Sequence, residues 1–352
     1  MPPILRRADP TDRPKWDEFV ASRPEADLLQ TWAWGECTAL AGEPSARLLL
    51  DDDGRIRGVA QALMRPAGFG RQVAYVPHGP IWDRSALDAD RLFAWLLQGL
   101  RTLARRERAL VVKLDPRAEP GDPTDLAALA TAHNLRSAPD LQAPTTRLVD
   151  LLDGAAQLEA SWHADARRLS RRAEREGTLV TISRDPDPAE VAILHDLLTA
   201  TAERSDFRVR SPEFLEHLAS EFSTSNGWYL GIARVEGTPI AAMALPRVGD
   251  RAYYLYGALL RDERYKHHYA AHAVMATMLR SLAADGCRTV DMWGVVEPDD
   301  TTADPAWRGF SAFKGTFGGL PLRHPGLFDL VTDPFWYRLR EMRGTGIRQR
   351  DR

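Results

Sequence analysis

Two stretches of the chain share one order of apolar and polar segments. In the first, alternating and continuous apolar runs predict a hairpin, a third strand, an amphipathic helix and a last buried strand, at about 47–50 with 56–64, 73–76, 89–106 and 110–114. The second shows the same series about 180 residues later, at about 229–233 with 239–246, 252–257, 269–284 and 289–293. A repeat of this size indicates a duplicated α/β unit rather than a solenoid.

Further helices are predicted outside the repeat, at about 14–41, 160–175 and 334–339. In the second of these, Arg168, Arg171, Arg172 and Arg175 recur at helical spacing and share one face. This strip and the basic tail 344–352 could contact tRNA or an anionic membrane, and the alternative for the strip is a solvated surface with its own ion pairs.

Length and composition narrow the class of protein. A chain of 352 residues is long for one core and suits two domains, and a net charge of −3 does not favour a general nucleic-acid binder. Its two cysteines form neither a disulfide framework nor a zinc site, so we expect a cytoplasmic protein. The sequence shows no signal peptide at its start and no apolar run of about 18 residues.

The segment 287–319 combines a buried strand, a polar loop and several glycines. The strand breaks at Gly294, and the segment closes on Gly309 to Gly315, where glycines would let backbone approach a ligand. Lys314 lies there, and only four of the 46 basic residues are lysines. In so Arg-rich a chain, a lysine hints that a compact ammonium is required, although a chance surface lysine remains the alternative.

The repeated unit resembles the acyltransferase fold of the GNAT superfamily. That fold usually binds the pyrophosphate of acetyl-CoA with a glycine-rich loop between the third strand and its helix. The corresponding segments here, 261–269 and 82–88, contain no glycine. The pattern therefore favours the fold without its usual CoA site, and an acyl donor other than CoA.

Short motifs along nearly the whole chain resemble the Fem/FemX family of tRNA-dependent aminoacyltransferases, which build peptidoglycan cross-bridges. They appear in the family's order, and are LQTWAWGE at 29–36, YVPHGP at 75–80, KLDP at 113–116, Glu203-Arg204 through Phe207 and Arg210, YLYG at 254–257, DMWG at 291–294 and FKGTFGG at 313–319. A long apolar heptad run does not interrupt the second unit, so the chain resembles the compact branch that lacks a coiled-coil arm.

This resemblance implies an α/β (α+β) fold of two tandem GNAT-like domains. The first would comprise residues 1–148 and be completed by the C-terminal segment 320–352, and the second would comprise 149–319. The resemblance also implies no CoA, no other cofactor and no metal.

The implied activity is transfer of an amino acid from aminoacyl-tRNA to the stem-peptide amine of a peptidoglycan precursor. The expected partners are the 3′ end of aminoacyl-tRNA and either UDP-MurNAc-pentapeptide or a lipid-linked precursor, with peripheral membrane contact, and the chain is expected to be a monomer. The resemblance implies a catalytic role for Lys314, which would stabilise the charge on the ester carbonyl and ribose oxygens, while Phe313 shapes the slot. It suggests Asp115 as a base for the attacking amine, although a buried Asp there could equally cap a helix or hold an Arg. Proton transfer through the tRNA ribose hydroxyl is another alternative.

Substrate contacts are expected from Arg204, Arg210, Tyr254 and Tyr256, which would hold the phosphates and peptide of the acceptor; each tyrosine could instead be a core aromatic. Further contacts are expected from Trp34, His78 and Phe214. His78 stands where the family usually has a basic residue, and Phe214 where a Tyr is common. Cys37 and Thr38 also stand where the family often offers a Lys. These departures affect the expected identity of the acceptor more than the chemistry of the transfer.

Other classes of function remain open from the sequence. The same chemistry could serve a non-cell-wall amine, an acyl-CoA-dependent N-acyltransferase is disfavoured by the absent glycine-rich loop, and a non-catalytic tRNA- or nucleotide-binding module is a fourth possibility. His268 and His272 have a metal-compatible spacing, but a third ligand is not evident, so an ordinary surface pair is favoured.

Overall fold

The computed structural model describes residues 3–122, 124–151, 154–205, 208–296 and 305–342. Contacts divide the chain into two compact units, residues 1–144 with 323–349 and residues 145–322 with 350–352. The basic tail at 344–352 and most of the polar loop after Gly294 lie outside the described residues. Within the described residues, no helix has the length and apolarity needed to cross a membrane.

The strands, in chain order, are β1 (Ile4–Arg7), β2 (Ser45–Asp52), β3 (Arg55–Gly68), β4 (Arg71–Val76), β5 (Ile81–Trp82), β6 (Ala109–Leu114), β7 (Arg136–Ala138), β8 (Thr145–Asp150), β9 (Leu179–Ser183), β10 (Leu230–Val235), β11 (Thr238–Ala244), β12 (Arg247–Val248), β13 (Arg251–Tyr253), β14 (Tyr256–Leu259), β15 (Thr289–Gly294), β16 (Leu320–Arg323) and β17 (Leu327–Val331).

The α-helices are α1 (Arg13–Ala21), α2 (Trp32–Leu40), α3 (Ala89–Arg106), α4 (Leu126–Ala132), α5 (Gly154–Ser161), α6 (Ala164–Arg175), α7 (Pro188–Ser205), α8 (Pro212–Ser223), α9 (Ala270–Ala284), α10 (Pro305–Gly315) and α11 (Pro334–Met342). Short 3-10 turns cover Pro10–Asp12, Leu28–Gln30 and Glu263–His268.

The first unit is built on one mixed sheet in the order β1-β2-β3-β4-β6-β17-β7, with β5 paired to β3. β4 and β6 are parallel and are joined by α3, whose apolar face packs on the sheet through residues such as Leu96 and Leu100. β17 comes from the far end of the sequence and pairs with both β6 and β7. The predicted hairpin, third strand, helix and last strand of this unit are all confirmed.

The second unit contains the same series of elements but two separate sheets, β14-β11-β10-β9 and β12-β13-β15-β8-β16. The prediction of one third strand at 252–257 is wrong, because the chain leaves one sheet after Tyr253 and joins the other at Tyr256. At the switch, the backbone N–H of Tyr254 donates to Asp291 in β15 and that of Leu255 donates to Ala244 in β11. The unit therefore opens between β14 and β15, and α9 packs nearby in the core.

Two further predictions need correction. The helix predicted at 160–175 is divided into α5 and α6, because His163 is extended and caps α6 with its side chain. Gly309 and Gly315 belong to α10, a helix that was not predicted, and neither has a positive φ; the left-handed glycines of this segment are Gly318 and Gly319.

Candidate active site

Lys314 lies in the last turn of α10, which follows the polar loop after β15. Two hydrogen bonds fix the ends of this region. The backbone N–H of Val296 donates to Ser311 Oγ over 2.9 Å, and the N–H of His163 donates to the carbonyl of Thr316 over 2.8 Å. The position of the lysine thus depends on hydrogen bonds from the strand end before the loop and from the cap of α6.

The ammonium group of Lys314 is enclosed by aromatic rings and one carbonyl. The residue is 1% exposed, and its Nζ donates to the carbonyl oxygen of Gly294 over 2.8 Å. Nζ lies 4.0 Å from the ring centroid of Phe310 and 5.0 Å from that of Tyr254. An ammonium has three N–H donors, so the hydrogen bond to Gly294 leaves capacity for a further acceptor.

Burial lowers the pKa of Lys314 to about 7 from an ordinary 10.5, and the negative charge of Asp291 opposes that shift. The cause is the loss of water around the charged form, since the nearest groups are rings rather than carboxylates. At neutral pH the group is therefore close to its midpoint. Such a lysine can act as a cation that a substrate oxygen completes, or can give up its proton.

The end of β15 supplies the carbonyl that Lys314 contacts. Asp291 is fully buried, and its Oδ1 accepts from the N–H of Trp293 over 2.7 Å and from the hydroxyl of Thr146 on β8. Trp293 has φ of 57°, an uncommon left-handed conformation for a bulky residue. Asp291 holds this turn in place, and through it the Gly294 carbonyl.

Tyr254 forms the floor of the same site, at the point where the two sheets separate. Its ring is buried and lies 5.6 Å from that of Phe310. A Cβ on Gly257 would come within 1.8 Å of the Tyr254 hydroxyl, so the glycine of the YLYG motif makes room for the tyrosine. Burial raises the pKa of Tyr254 well above its usual range, so the phenol is neutral.

The ring of Phe313 packs against other aromatic side chains and not against the ammonium of Lys314. Its ring lies 5.1 Å from that of His272 and 5.5 Å from that of Phe317, which in turn contacts Trp162. Burial lowers the pKa of His272 to about 4, so this imidazole is neutral and serves as packing. Phe313 therefore holds α10 against α9, and Phe310 is the ring of α10 that lies over Nζ.

Arg147 on β8 fastens the segment that follows the lysine. Its guanidinium donates to the carbonyls of Gly318 and Gly319 over 3.2 and 2.7 Å. Both glycines have positive φ, and a Cβ on Gly319 would come within 2.3 Å of the Leu148 carbonyl. The double glycine of the FKGTFGG motif is thus required by close backbone packing beside Lys314.

Four predicted substrate-binding residues of this unit lie on α7, α8, β14 and the segment between the two helices. Arg204 is in the last turn of α7, and its side chain lies outside the described residues. Arg210 places its guanidinium 4.8 Å from the ring of Phe214, which is buried in α8. Phe214 therefore exposes little ring surface for its predicted contact with substrate, whereas Arg210 and Tyr256 are partly exposed.

Asp115, Trp34 and His78 belong to the first unit. Asp115 follows β6 and is 9% exposed. Its Oδ2 accepts from the hydroxyl of Tyr75 over 2.7 Å, and its Oδ1 accepts from the backbone N–H of His78 over 2.5 Å. Burial raises the pKa of Asp115 to about 6, against the opposing effects of His78 and the Tyr75 hydrogen bond.

His78 belongs to a buried polar cluster. Its Nδ1 lies 2.9 Å from Oδ2 of Asp27, and Arg117 donates to the same oxygen over 3.1 Å. Trp34 is buried in α2, and Thr31 caps the helix by accepting from its N–H. Trp34 and His78 are both buried within this unit, so each exposes little surface for its predicted contact with substrate.

Of the predicted site residues, the structure brings Lys314 and Tyr254 together and packs Phe313 on His272 and Phe317. Asp115, His78 and Trp34 belong to the other unit. Sequence reasoning missed Phe310, Arg147 and the carbonyl of Gly294. Helical spacing could have identified Phe310, because it stands four residues before Lys314. Arg147 gives no comparable signal, since its role depends on a long-range strand pairing. The described residues contain no cluster of three metal-binding side chains.

Comparisons with known proteins show what the chain is similar to. The acetyltransferase (GNAT) domain family matches residues 160–311, within the second unit. Lipid II:glycine glycyltransferase of Staphylococcus aureus strain bovine RF122 / ET3-1 is 24% identical over 400 residues, which cover 92% of this chain and 93% of that protein. The same enzyme of strain MRSA252 gives the same identity and coverage.

Among solved structures, the crystal structure of FemX superposes with a TM-score of 0.84 at 21% identity, covering 96% of this chain and all of that one. A tandem GNAT protein from the clavulanic acid biosynthesis pathway gives a TM-score of 0.56 at 12% identity, over 94% of this chain and 98% of that one. The chain is therefore homologous to the lipid II:glycine glycyltransferases and has the FemX fold, and the predicted resemblance and tandem GNAT-like α/β fold are confirmed.

Proposed function

We propose that this homologue of the lipid II:glycine glycyltransferases transfers an amino acid from aminoacyl-tRNA to the stem-peptide amine of a peptidoglycan precursor. The name of these homologues, lipid II:glycine glycyltransferase, supports an acyl transfer that involves lipid II. The use of aminoacyl-tRNA, the form of the acceptor and action as a monomer in the cytoplasm are parts of the proposal.

The reaction is aminolysis of an ester. The neutral amine attacks the carbonyl carbon, a C–N bond forms, and the C–O bond to the ribose breaks. The proton lost by the amine ends on the ribose oxygen, which leaves as a hydroxyl. Negative charge develops first on the carbonyl oxygen and then on the leaving oxygen, so a fixed cation there stabilises the transition state more than the ground state.

Lys314 is the residue of the described chain that best suits this task. The observation that carries the proposal is its buried ammonium, which the hydrogen bond to the Gly294 carbonyl holds in place while leaving capacity for a substrate oxygen. Surrounding rings exclude water, and a charge acts more strongly where water is excluded.

Access to the ammonium requires a movement of one neighbouring ring. Tyr254 is buried beneath Lys314, whereas Phe310 is 36% exposed and lies at the surface of α10. We infer that Phe310 moves aside when the ester enters. Phe313 and Arg147 keep the helix and the following glycines in position while it does so.

The helix N-terminus that holds CoA in many acyltransferases is differently built here. α9 is preceded by the 3-10 turn Glu263–His268 and by Tyr269, whose φ is 45°. The segment 261–269 before α9 contains no glycine and mostly bulky side chains, where the usual CoA site has a glycine-rich loop. This supports a donor other than acyl-CoA.

A transfer assay read by mass spectrometry tests the proposal. The full chain is mixed with charged total tRNA and UDP-MurNAc-pentapeptide or a lipid-linked precursor, with and without RNase, and in parallel with acetyl-CoA. We expect an RNase-sensitive mass gain of one or more amino acids on a precursor. A gain only from acetyl-CoA, or none on any of these acceptors, would refute it.

A further inference from the structure

Helix α11 is fastened to the sheet of the first unit by one face only. The hydroxyl of Tyr337 donates to Asp329 Oδ2 over 2.9 Å, and Lys113 of β6 donates to the other oxygen of Asp329 over 2.6 Å. On the opposite face, Phe335, Arg338 and Met342 recur at helical spacing and are exposed. Phe335 is 70% exposed and Met342 is 77% exposed, so this short helix presents apolar side chains to solvent.

The tip of the β3–β4 hairpin also presents a large apolar side chain. Gly68, Phe69 and Gly70 are all left-handed, with φ of 84°, 52° and 65°. This conformation is uncommon for a bulky residue, and Asn or Gly would adopt it more readily. Phe69 is 68% exposed, so burial in this fold does not explain why a phenylalanine stands there.

The tip and the helix form one surface. The ring of Phe69 lies 5.6 Å from that of Trp336, and Phe335 lies 5.7 Å from the same indole. The Arg71 guanidinium is 5.3 Å from the Trp336 ring centroid. We call Phe69, Phe335, Trp336 and Met342, with the neighbouring Arg71, Arg108 and Arg338, the hairpin–helix patch.

The patch carries positive charge. A Cβ on Gly70 would lie 4.0 Å from the Arg108 guanidinium, which places that arginine beside the hairpin tip. Arg108 and Arg338 are exposed, whereas Arg71 pairs with Asp333 over 3.2 Å. Basic residues therefore neighbour the exposed aromatic side chains, with Glu341 as an acidic neighbour on α11.

We propose that the hairpin–helix patch docks the protein on an anionic membrane surface. Phe69 and Phe335 enter the headgroup region, where aromatic side chains are favoured, and the arginines contact anionic lipid headgroups. Neither signal suffices alone, since stable peripheral binding combines apolar insertion with a basic cluster. The inference does not depend on the reaction, although a lipid-linked acceptor would lie on the same surface.

The other basic feature of the chain fits this role less well. On α6, Arg168 pairs with Asp165 over 2.7 Å and Arg172 pairs with Glu176 over 3.3 Å. Arg171 lies 3.6 Å from Glu159. These carboxylates reduce the attraction of the strip for an anionic surface. The ion pairs agree with the alternative interpretation of this strip, a solvated surface.

Vesicle sedimentation tests the proposal without any substrate. The full chain is mixed with large vesicles of phosphatidylcholine alone or with about one third phosphatidylglycerol. We expect binding to the anionic vesicles and little to the neutral ones. The double variant F69N/F335S should lower the partition coefficient at least tenfold, since it removes both inserting side chains, and Asn suits the left-handed tip.

The double variant R108Q/R338Q tests the charge. It should lower binding to anionic vesicles by about thirtyfold, from an expected contribution of about 1 kcal/mol for each of the two basic residues near such a surface. Matched controls lie on the same unit. L87S removes a fully exposed leucine, and R55Q removes an exposed arginine at the other end of β3, roughly 40 Å away along the strand.

Both controls should bind like the unaltered chain, and melting curves should show that all variants fold. The proposal is overturned if the unaltered chain stays in solution with anionic vesicles, or if F69N/F335S binds as well as L87S. It is also overturned if the unaltered chain is a dimer by light scattering and F69N/F335S makes it a monomer without changing vesicle binding. Loss of transfer activity in any variant does not affect these outcomes, so failure of the proposed reaction and failure of membrane docking are separate results.

Discussion

The corresponding last strands of the two repeated series end in two very different charged groups. Asp115 follows β6 in the first unit, and both of its oxygens accept hydrogen bonds from Tyr75 and His78. β15 in the second unit ends at Gly294, whose carbonyl accepts a hydrogen bond from Lys314. Burial disfavours the charged form of both groups, raising the pKa of Asp115 to about 6 and lowering that of Lys314 to about 7.

The difference follows from the sheets. In the first unit β4 and β6 pair along their length, so the strand end is closed by the Pro77-His78-Gly79 turn that Asp115 holds. In the second unit the chain changes sheets between Tyr253 and Tyr256, and rings fill the opening. A buried charge with its hydrogen bonds satisfied serves the fold, whereas one with spare donors is free to serve a substrate.

The largest expected effect comes from replacing Lys314 with Met, which keeps the length and removes the charge. We expect kcat for transfer to fall on the order of 10²–10³-fold, the usual result of removing one group that stabilises a developing oxyanion. Stability at pH 6 should stay the same or rise, because a cation that is costly to bury has been removed. Steady-state rates and thermal melts measure the two effects.

The control for this variant is K266M, which removes an exposed lysine of the same unit. It should change neither kcat nor the melting temperature. Unchanged transfer by K314M would remove Lys314 from the chemistry and leave its burial unexplained.

Replacing Asp115 with Asn should show the opposite behaviour. The two hydrogen bonds go to different oxygens of Asp115, and Asn replaces one of these oxygens by an NH2 group, which cannot accept. One of the two hydrogen bonds is therefore lost, and the free energy of unfolding falls by about 1–3 kcal/mol. The rate at a permissive temperature should fall less than tenfold. Urea unfolding and transfer rates give the comparison, and a thousandfold loss of rate in a stable D115N protein would support the predicted role of Asp115 as a base.

The pH dependence of stability gives a second test of D115N. The pKa of Asp115 in the fold, about 6, exceeds its ordinary 3.8, so the folded state binds more protons between these values. The contribution of this residue to the free energy of unfolding therefore decreases as pH rises from about 4 to 6. We expect the difference in that free energy between the unaltered chain and D115N to decrease over this range.

A smaller effect is expected at Arg147, which acts through position. R147A removes both hydrogen bonds to Gly318 and Gly319, and should lower kcat by about tenfold with little change in KM, because small displacements of a catalytic group are costly. R147K keeps the charge without the planar fork and should not restore the rate fully. A rise in KM with an unchanged kcat would instead indicate that Arg147 contacts the substrate.

The smallest effect concerns Phe310. F310A admits water to Lys314 and should raise its pKa, since burial is the main cause of the shift. If the cation is the active form, the rate declines above about pH 7 in the unaltered chain, and this decline should move up by about one unit in F310A. F313A, which alters packing on His272, should leave the position of the decline unchanged.

Much of the fold could be predicted because its signals are local. The helix at 89–106 and the hairpin at Asp51 to Gly54 follow from apolar spacing and turn residues, and the structure places both there. The division of 252–257 between two sheets could not be predicted, since it depends on pairings with Asp291 and Ala244 that are distant in sequence. The helix α10 was not predicted for a local reason, because its two glycines, Gly309 and Gly315, disfavour a helix.

The candidate site was predicted in part. Lys314 was identified by its rarity and by a family motif, and the structure supplies the physical reason to consider it, namely a buried ammonium. Phe214 and Trp34 were singled out as aromatic residues near motifs, yet both are buried in helices of the core. A sequence shows which residue types are present but not which of them burial leaves with spare donors.

The most direct test of the account is the titration of Lys314 itself. The chain has four lysines, so protein labelled with ¹⁵N and ¹³C at lysine gives four side-chain signals, and K314M identifies the one of interest. We expect this signal to titrate near pH 7 in the folded, substrate-free protein. Titration at its ordinary value of about 10.5 would show a solvated surface lysine and would refute the role proposed for Lys314.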